Sequence, residues 1–186
     1  RLSEGLLLLT IAISIFLMLA LVTYHRSDPG WSHYMSAGHI ANAGGKVGAW
    51  LSDFFLSICG YLAYTFPLML TYIIWLWHRT YHSGEDFEIS QYAMIALRVL
   101  GFLLVFIGGS GLAALFVKPT LLNLPYQAGG ILGSVVSQTM LRFFNPTGAT
   151  LLLIACLLIG VTLLTGLSWL WLTKWLRLSV LRSIKL

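Results

Sequence analysis

Leu6-Leu7-Leu8-Leu9-Thr10-Ile11-Ala12-Ile13-Ser14-Ile15-Phe16-Leu17-Met18-Leu19-Ala20-Leu21-Val22-Thr23-Tyr24 is a run of 19 residues without a charge. As a helix rising about 1.5 Å per residue it covers the ~30 Å of a hydrocarbon core. In lipid every backbone N–H and C=O must pair within its own segment, so the run is a helix. A barrel strand would alternate, and Leu6 to Leu9 does not. No small-residue cleavage site and soluble chain follow it, so it reads as a permanent span rather than a removed signal peptide. Three more runs lie at 54–77, 95–117 and 149–172. Only Arg98 interrupts them, one turn inside its span, where a long side chain snorkels to the interface.

The 186 residues are 58% hydrophobic and 9% charged. An ordinary soluble domain is about 25% charged. A soluble enzyme, a disordered tail and a free nucleic-acid-binding module are thereby excluded, despite a net charge of +5. Cys59 and Cys156 both lie in apolar runs, which leaves no disulfide framework or zinc cluster. Opening at Arg1 and closing in a basic stretch, the sequence reads as a piece of a longer protein.

Four spans put both termini on one side of the membrane. That side carries Arg1, Arg79, Arg98, Lys174, Arg177, Arg182 and Lys185, against Arg26, Lys46, Lys118 and Arg142 on the other. The positive-inside rule then places both termini in the cytoplasm, with a cytoplasmic loop at 78–94 and a basic cytoplasmic end at 173–186. Trp75 and Trp77 close one span while Trp169, Trp171 and Trp175 close another, as a belt at one interface would.

The two outer, periplasmic segments, 25–53 and 118–148, echo each other. Gly44-Gly45-Lys46-Val47-Gly48-Ala49 and Gly129-Gly130-Ile131-Leu132-Gly133-Ser134 share G-G-x-x-G plus a small residue, 85 positions apart. Ser27-Asp28-Pro29-Gly30 and Asn145-Pro146 supply turn chemistry at their edges. The plan is two parallel helix–outer segment–helix units, with short amphipathic or re-entrant helices at 41–53 and 126–142. Glycine permits sharp turns and close backbone approach there. Pro67, inside the second span, would kink it and free a carbonyl.

Several residues point toward chemistry and fall short of it. Gly108-Gly109-Ser110-Gly111 fits the pattern of intramembrane serine proteases, but no span carries a histidine to take the serine proton. Small residues at such a patch more often let helices pack closely. His78 and His82 share a helical face at metal-pair spacing, yet no H-E-x-x-H or nearby cysteine accompanies them. The alternative of a small four-helix transporter or channel subunit lacks a mid-depth Asp, Glu, Lys or His. Gly44-Gly45-Lys46 is not a phosphate loop, because the spaced upstream glycine and following hydroxyl are missing.

The motifs Ser27-Asp28-Pro29-Gly30-Trp31-Ser32, Asn42 to Leu51, Gly60 to Pro67, Ser110 to Ala114, Gly129 to Ser134 and Leu164 to Trp169 occur in order among the spans. In these the chain resembles the N-terminal four-span membrane domain of the FtsK/SpoIIIE family of bacterial DNA translocases, its proteobacterial branch most. The resemblance implies a membrane domain, a long linker, a cytoplasmic hexameric motor using ATP and Mg, and a DNA-reading end. It further implies an inner-membrane protein at the division septum that contacts other divisome proteins and couples division to chromosome partition. Linker, motor and DNA-reading domain lie outside these residues, so no catalytic, cofactor or metal residue is expected in this chain, and no direct nucleic-acid contact.

The resulting expectation is an all-α membrane protein of two helical hairpins, serving as anchor and assembly domain. The hairpins are expected to pack through Gly108, Gly109, Gly111, Gly160 and Gly166. Asp28, Pro29, Trp31, Gly44, Gly45, Gly48, Pro67, Gly129, Gly130 and Gly133 are the candidate structural and partner-surface residues, and the bilayer and sister copies in a homo-oligomer are further expected partners.

Overall fold

Gly60 decides how the second crossing is built. A helix needs negative φ, and Gly60 sits at φ 58°, ψ −138°. The computed structural model describes residues 2–32, 40–82, 89–117 and 124–166. Among these it has α1 (Leu2–Val22), α2 (Gly45–Cys59), a 3-10 turn (Gly60–Tyr64), α3 (Thr65–His82), α4 (Ile89–Phe116), α5 (Gly130–Phe143) and α6 (Pro146–Thr165), and no strand. Four stretches are long and apolar enough to cross a membrane: Glu4–Val22, Gly45–Trp75, Ala93–Phe116 and Pro146–Thr165. The basic end 173–186, Trp169, Trp171 and Trp175, the middle of the 78–94 loop, His33 and His39 lie outside the described residues.

The second crossing differs from the sequence expectation. Its helix does not begin at Phe54 after a separate helix at 41–53. Instead α2 continues through Phe54 and Phe55 to Cys59, and the break falls at Gly60. Hydropathy sees an unbroken apolar run there, whereas the backbone turns. Pro67 likewise starts a helix rather than kinking one. It is the third residue of α3, where the missing N–H would have had no helical partner. The other short helix, expected at 126–142, is α5.

α1 packs on α3 and α4 packs on α6, which are the two expected hairpins. Leu17, Leu21, Leu56, Cys59, Ala63, Phe106 and Leu124 form the buried centre. Phe66 joins the hairpins: its ring lies 5.1 Å from Phe55, 5.6 Å from Phe102 and 5.1 Å from Phe106. Arg98 reaches α3, donating from Nη1 to the Tyr72 hydroxyl at 2.7 Å.

Between α4 and α6 the backbones nearly touch. A Cβ on Gly101 would stand 2.5 Å from Leu164 N, one on Gly108 2.8 Å from Leu153 O, and one on Gly160 2.5 Å from Val105 N. Apolar lipid gives little drive to bury one apolar helix on another, so association rests on such close packing. Gly111 joins this contact through Leu153, while Gly109 faces the Leu62 side chain. Gly166 takes no part in it; at φ 68° it caps α6, its N–H bonded to Thr162 O at 2.8 Å.

α5 and the first half of α2 are turned inside out relative to helices of soluble proteins. Gly48, Ala49, Ser52 and Asp53 are buried on α2, before Leu56 and Cys59 enter the apolar centre, and Gly133, Ser134 and Ser137 are buried on α5. The large apolar residues Val47, Trp50, Ile131, Leu132 and Val135 face outward.

Candidate functional site: a polar clasp and a paired glycine turn

The two glycine motifs fold alike. In the first, Gly45 N–H donates to Asn42 O at 2.9 Å and Gly48 N–H to Gly44 O at 3.0 Å; in the second, Gly130 N–H donates to Gln127 O at 2.8 Å and Gly133 N–H to Gly129 O at 2.9 Å. Gly44 and Gly129 share a dihedral pair near −85°, 3° (−82°, 6° and −89°, 0°). Gly45 and Gly130 both take positive φ, 64° and 66°. Each turn then docks on the helix before it. A Cβ on Gly48 would meet Ala20 of α1 at 3.3 Å, and one on Gly133 would meet Ala114 of α4 at 3.3 Å. Gly129 and Gly133 also lie directly on the Ser110 carbonyl.

Where the two units meet, backbone crosses backbone. Tyr61 N–H donates to Ala128 O at 2.9 Å. A Cβ on Gly60 would collide with that same oxygen, and one on Gly130 with Ile58 O. The repeat thus builds both the individual turns and the seam between them.

A polar clasp closes the first unit. The Asp28 carboxylate, 2% exposed, accepts the Ala41 N–H at 2.9 Å and the Asn42 N–H at 2.8 Å. Asn42 Nδ2 donates to Ala20 O at 2.8 Å, and its Oδ1 accepts the Gly44 N–H at 2.8 Å. Asp53 is fully buried and accepts the Tyr24 hydroxyl at 3.2 Å, the Ser32 N–H at 2.6 Å and the Ser32 hydroxyl at 3.1 Å. Tyr24 lies past the end of α1; burial, and after it the negative charge of Asp53, hold its phenol well above the ordinary range, so it remains a donor. Asp53 Oδ2 also fills the place a Gly30 side chain would need, at 2.5 Å from its Cβ position.

Of the residues singled out by sequence, Asp28, Gly44, Gly45, Gly48, Gly129, Gly130 and Gly133 sit in the clasp or the turns. Pro29 is half-buried beside Asp28. Trp31 is exposed, its ring edge-on to Phe54 at 5.5 Å, and Trp50 stacks on the same Phe54 at 5.7 Å. Pro67 stands apart at the start of α3. Ser110 is 1% exposed and its hydroxyl donates to Ile107 O at 3.2 Å, within its own helix.

A chain with four membrane-crossing stretches and this paired turn can be set against known proteins. The family described as the 4TM region of DNA translocase FtsK/SpoIIIE matches residues 1–177. The chain belongs to this family. DNA translocase FtsK of Shewanella oneidensis is 40% identical over 170 residues, 91% of this chain and 18% of that protein. The FtsK of Pseudomonas syringae pv. tomato is 41% identical over 91% of this chain and 21% of its own length. That of Vibrio vulnificus is 35% identical over 95% of this chain and 17% of its own. The chain therefore spans about a fifth of the length of these relatives, and no solved structure matches it.

Within this FtsK/SpoIIIE membrane region, the sequence singled out neither Asp53 nor Tyr24, and Asn42 only as the start of a motif. A carboxylate immediately before an apolar run looks like a segment boundary. The available signal was its spacing: Asp53 lies five residues beyond Gly48, at the centre of a helix whose small residues face inward.

Proposed function

We propose that the chain is the membrane-anchoring and divisome-assembly domain of a DNA translocase that couples cell division to chromosome segregation. The observation that carries this reading is the family match over 1–177 in a chain with four apolar crossings. Both termini lie in the cytoplasm, so that a hexameric motor beyond residue 186 meets DNA, ATP and Mg there. The chain itself performs no catalysis, binds no cofactor and does not touch DNA. Lipid, sister copies and septal proteins are its partners, and the inner membrane at the septum is its location.

The test is a fluorescent fusion of residues 1–186 in a bacterium depleted of its own septal translocase. Fluorescence gathers at midcell and filaments resume division. Uniform membrane fluorescence with persistent filaments contradicts the assembly role.

A further inference from the structure

We propose that α2 and α5 are seated in the hydrocarbon of the outer leaflet, their outward faces against lipid acyl chains rather than water. The length of α3 requires a partner in the crossing. From Thr65 to Trp75, whose half-exposed ring marks one interface, α3 offers 11 residues. That is ~16 Å at about 1.5 Å per residue, roughly half of a ~30 Å core. The remainder falls to the 3-10 turn and α2.

Depth is fixed independently in each unit. The turn that starts α2 touches α1 at Phe16, with 3.3 Å between the ring and the Cβ position of Gly44. The turn that starts α5 lies on Ser110 of α4. Phe16 and Ser110 each stand six residues before the end of their helix, Val22 and Phe116. Ala43 N–H also donates to Thr23 Oγ1 at 3.1 Å, and a Cβ on Gly129 would meet Ala114 at 3.0 Å, so at about 1.5 Å per residue both turns lie alongside the last turns of α1 and α4, within ~9 Å of their ends.

Surface chemistry agrees with a seat in hydrocarbon. The outward face of α5 reads Ile131, Leu132 and Val135 near its start, then Gln138, Thr139, Leu141, Arg142 and Phe143 as it approaches Asn145 and α6. Water along the first half would face large aliphatic side chains, while the small and hydroxyl residues that tolerate it are buried inward. On α2, Val47 is 64% exposed and Trp50 46%. Lys46 beside them is exposed, and a four-carbon stem is long enough to bring its ammonium to a polar boundary. Trp31 and Trp50, both on Phe54, mark that boundary as amphipathic rings do. The consequence is that septal proteins in water would meet the connecting segments, not these two helices.

The experiment places one nitroxide at a time on the chain, held as a single copy per lipid nanodisc. Cys156 is replaced by Ala, and Cys59, only 3% exposed, is left in place. Val135→Cys and Val47→Cys are compared with Arg142→Cys for collisions with oxygen and with a water-soluble nickel chelate. At 135 and 47 oxygen access is high, and nickel access is about tenfold below that at 142, because polar solutes are excluded from hydrocarbon. Nickel access equal at all three sites overturns the proposal in favour of water. Low access to both reagents at 135 and 47 overturns it in favour of protein cover.

Discussion

Gly130→Ala disrupts the fold while Gly45→Ala weakens it only slightly, although the two residues share one backbone conformation. Both stand at positive φ, 66° and 64°, so each alanine carries the intrinsic strain of that region, about 1–2 kcal/mol. Surroundings separate them. Nothing lies within 4 Å of a Cβ on Gly45. A Cβ on Gly130 collides with the Ile58 carbonyl and comes within 2.6 Å of Gly60 N. These are backbone atoms of the opposite unit and cannot rotate away as a side-chain tip would. Reopening that seam also breaks the Tyr61–Ala128 hydrogen bond. The total for Gly130→Ala is at least ~3 kcal/mol, in the range reserved for strain and overpacking. Thermal unfolding in detergent reads the difference: a midpoint lowered by a few degrees for Gly45→Ala (about 1–2 kcal/mol in a chain of this size), against little folded material for Gly130→Ala. Equal losses would mean that φ alone matters and that the crossing of the two units contributes nothing.

Asp53→Ala has the second large effect. The substitution leaves the Tyr24 hydroxyl and both Ser32 donors without their carboxylate acceptor. Donors stranded away from water, and the loss of bonds to a charged group, together cost roughly 3–4 kcal/mol. Asp53→Asn keeps one acceptor oxygen of similar shape and loses less. Asp28→Ala acts elsewhere, on the N–H groups of Ala41 and Asn42. Amide hydrogen exchange separates the two carboxylates. In Asp53→Ala the Ser32 amide accelerates more than those of Ala41 and Asn42, and in Asp28→Ala the order reverses. Identical acceleration of all three amides in both variants would show a single melting unit rather than two separately held strands of the clasp.

Hydropathy and glycine spacing made much of this architecture legible. Uncharged runs reveal membrane crossings because lipid tolerates few alternatives, and Leu6 to Tyr24 needed no partner to be recognised. The paired turns were readable for a similar reason: a positive φ and a close backbone approach both demand glycine, and G-G-x-x-G recurs at 44 and 129. The break at Gly60 was hidden, since Phe54 to Ile58 continues the apolar run across α2 and hydropathy carries no backbone angles. Gly101 was missed beside Gly160 because its role depends on which helix lies opposite. Asp53 depended on partners 29 and 21 residues away, Tyr24 and Ser32, which no local pattern joins. Inward-facing small residues on α2 and α5 were likewise invisible as such, because a helix wheel gives a face without saying what covers it.

The most direct test of the account concerns the side on which the chain ends. Reporter fusions after residue 186, expressed in intact bacteria, discriminate the two possibilities: green fluorescent protein matures in the cytoplasm, while alkaline phosphatase is active only after export. A bright fluorescent fusion with an inactive phosphatase fusion is the predicted outcome, with the reverse for a phosphatase inserted in the segment between α1 and α2. An active phosphatase after residue 186 would put the chain's end outside, away from any motor that uses ATP on DNA, and would contradict the account.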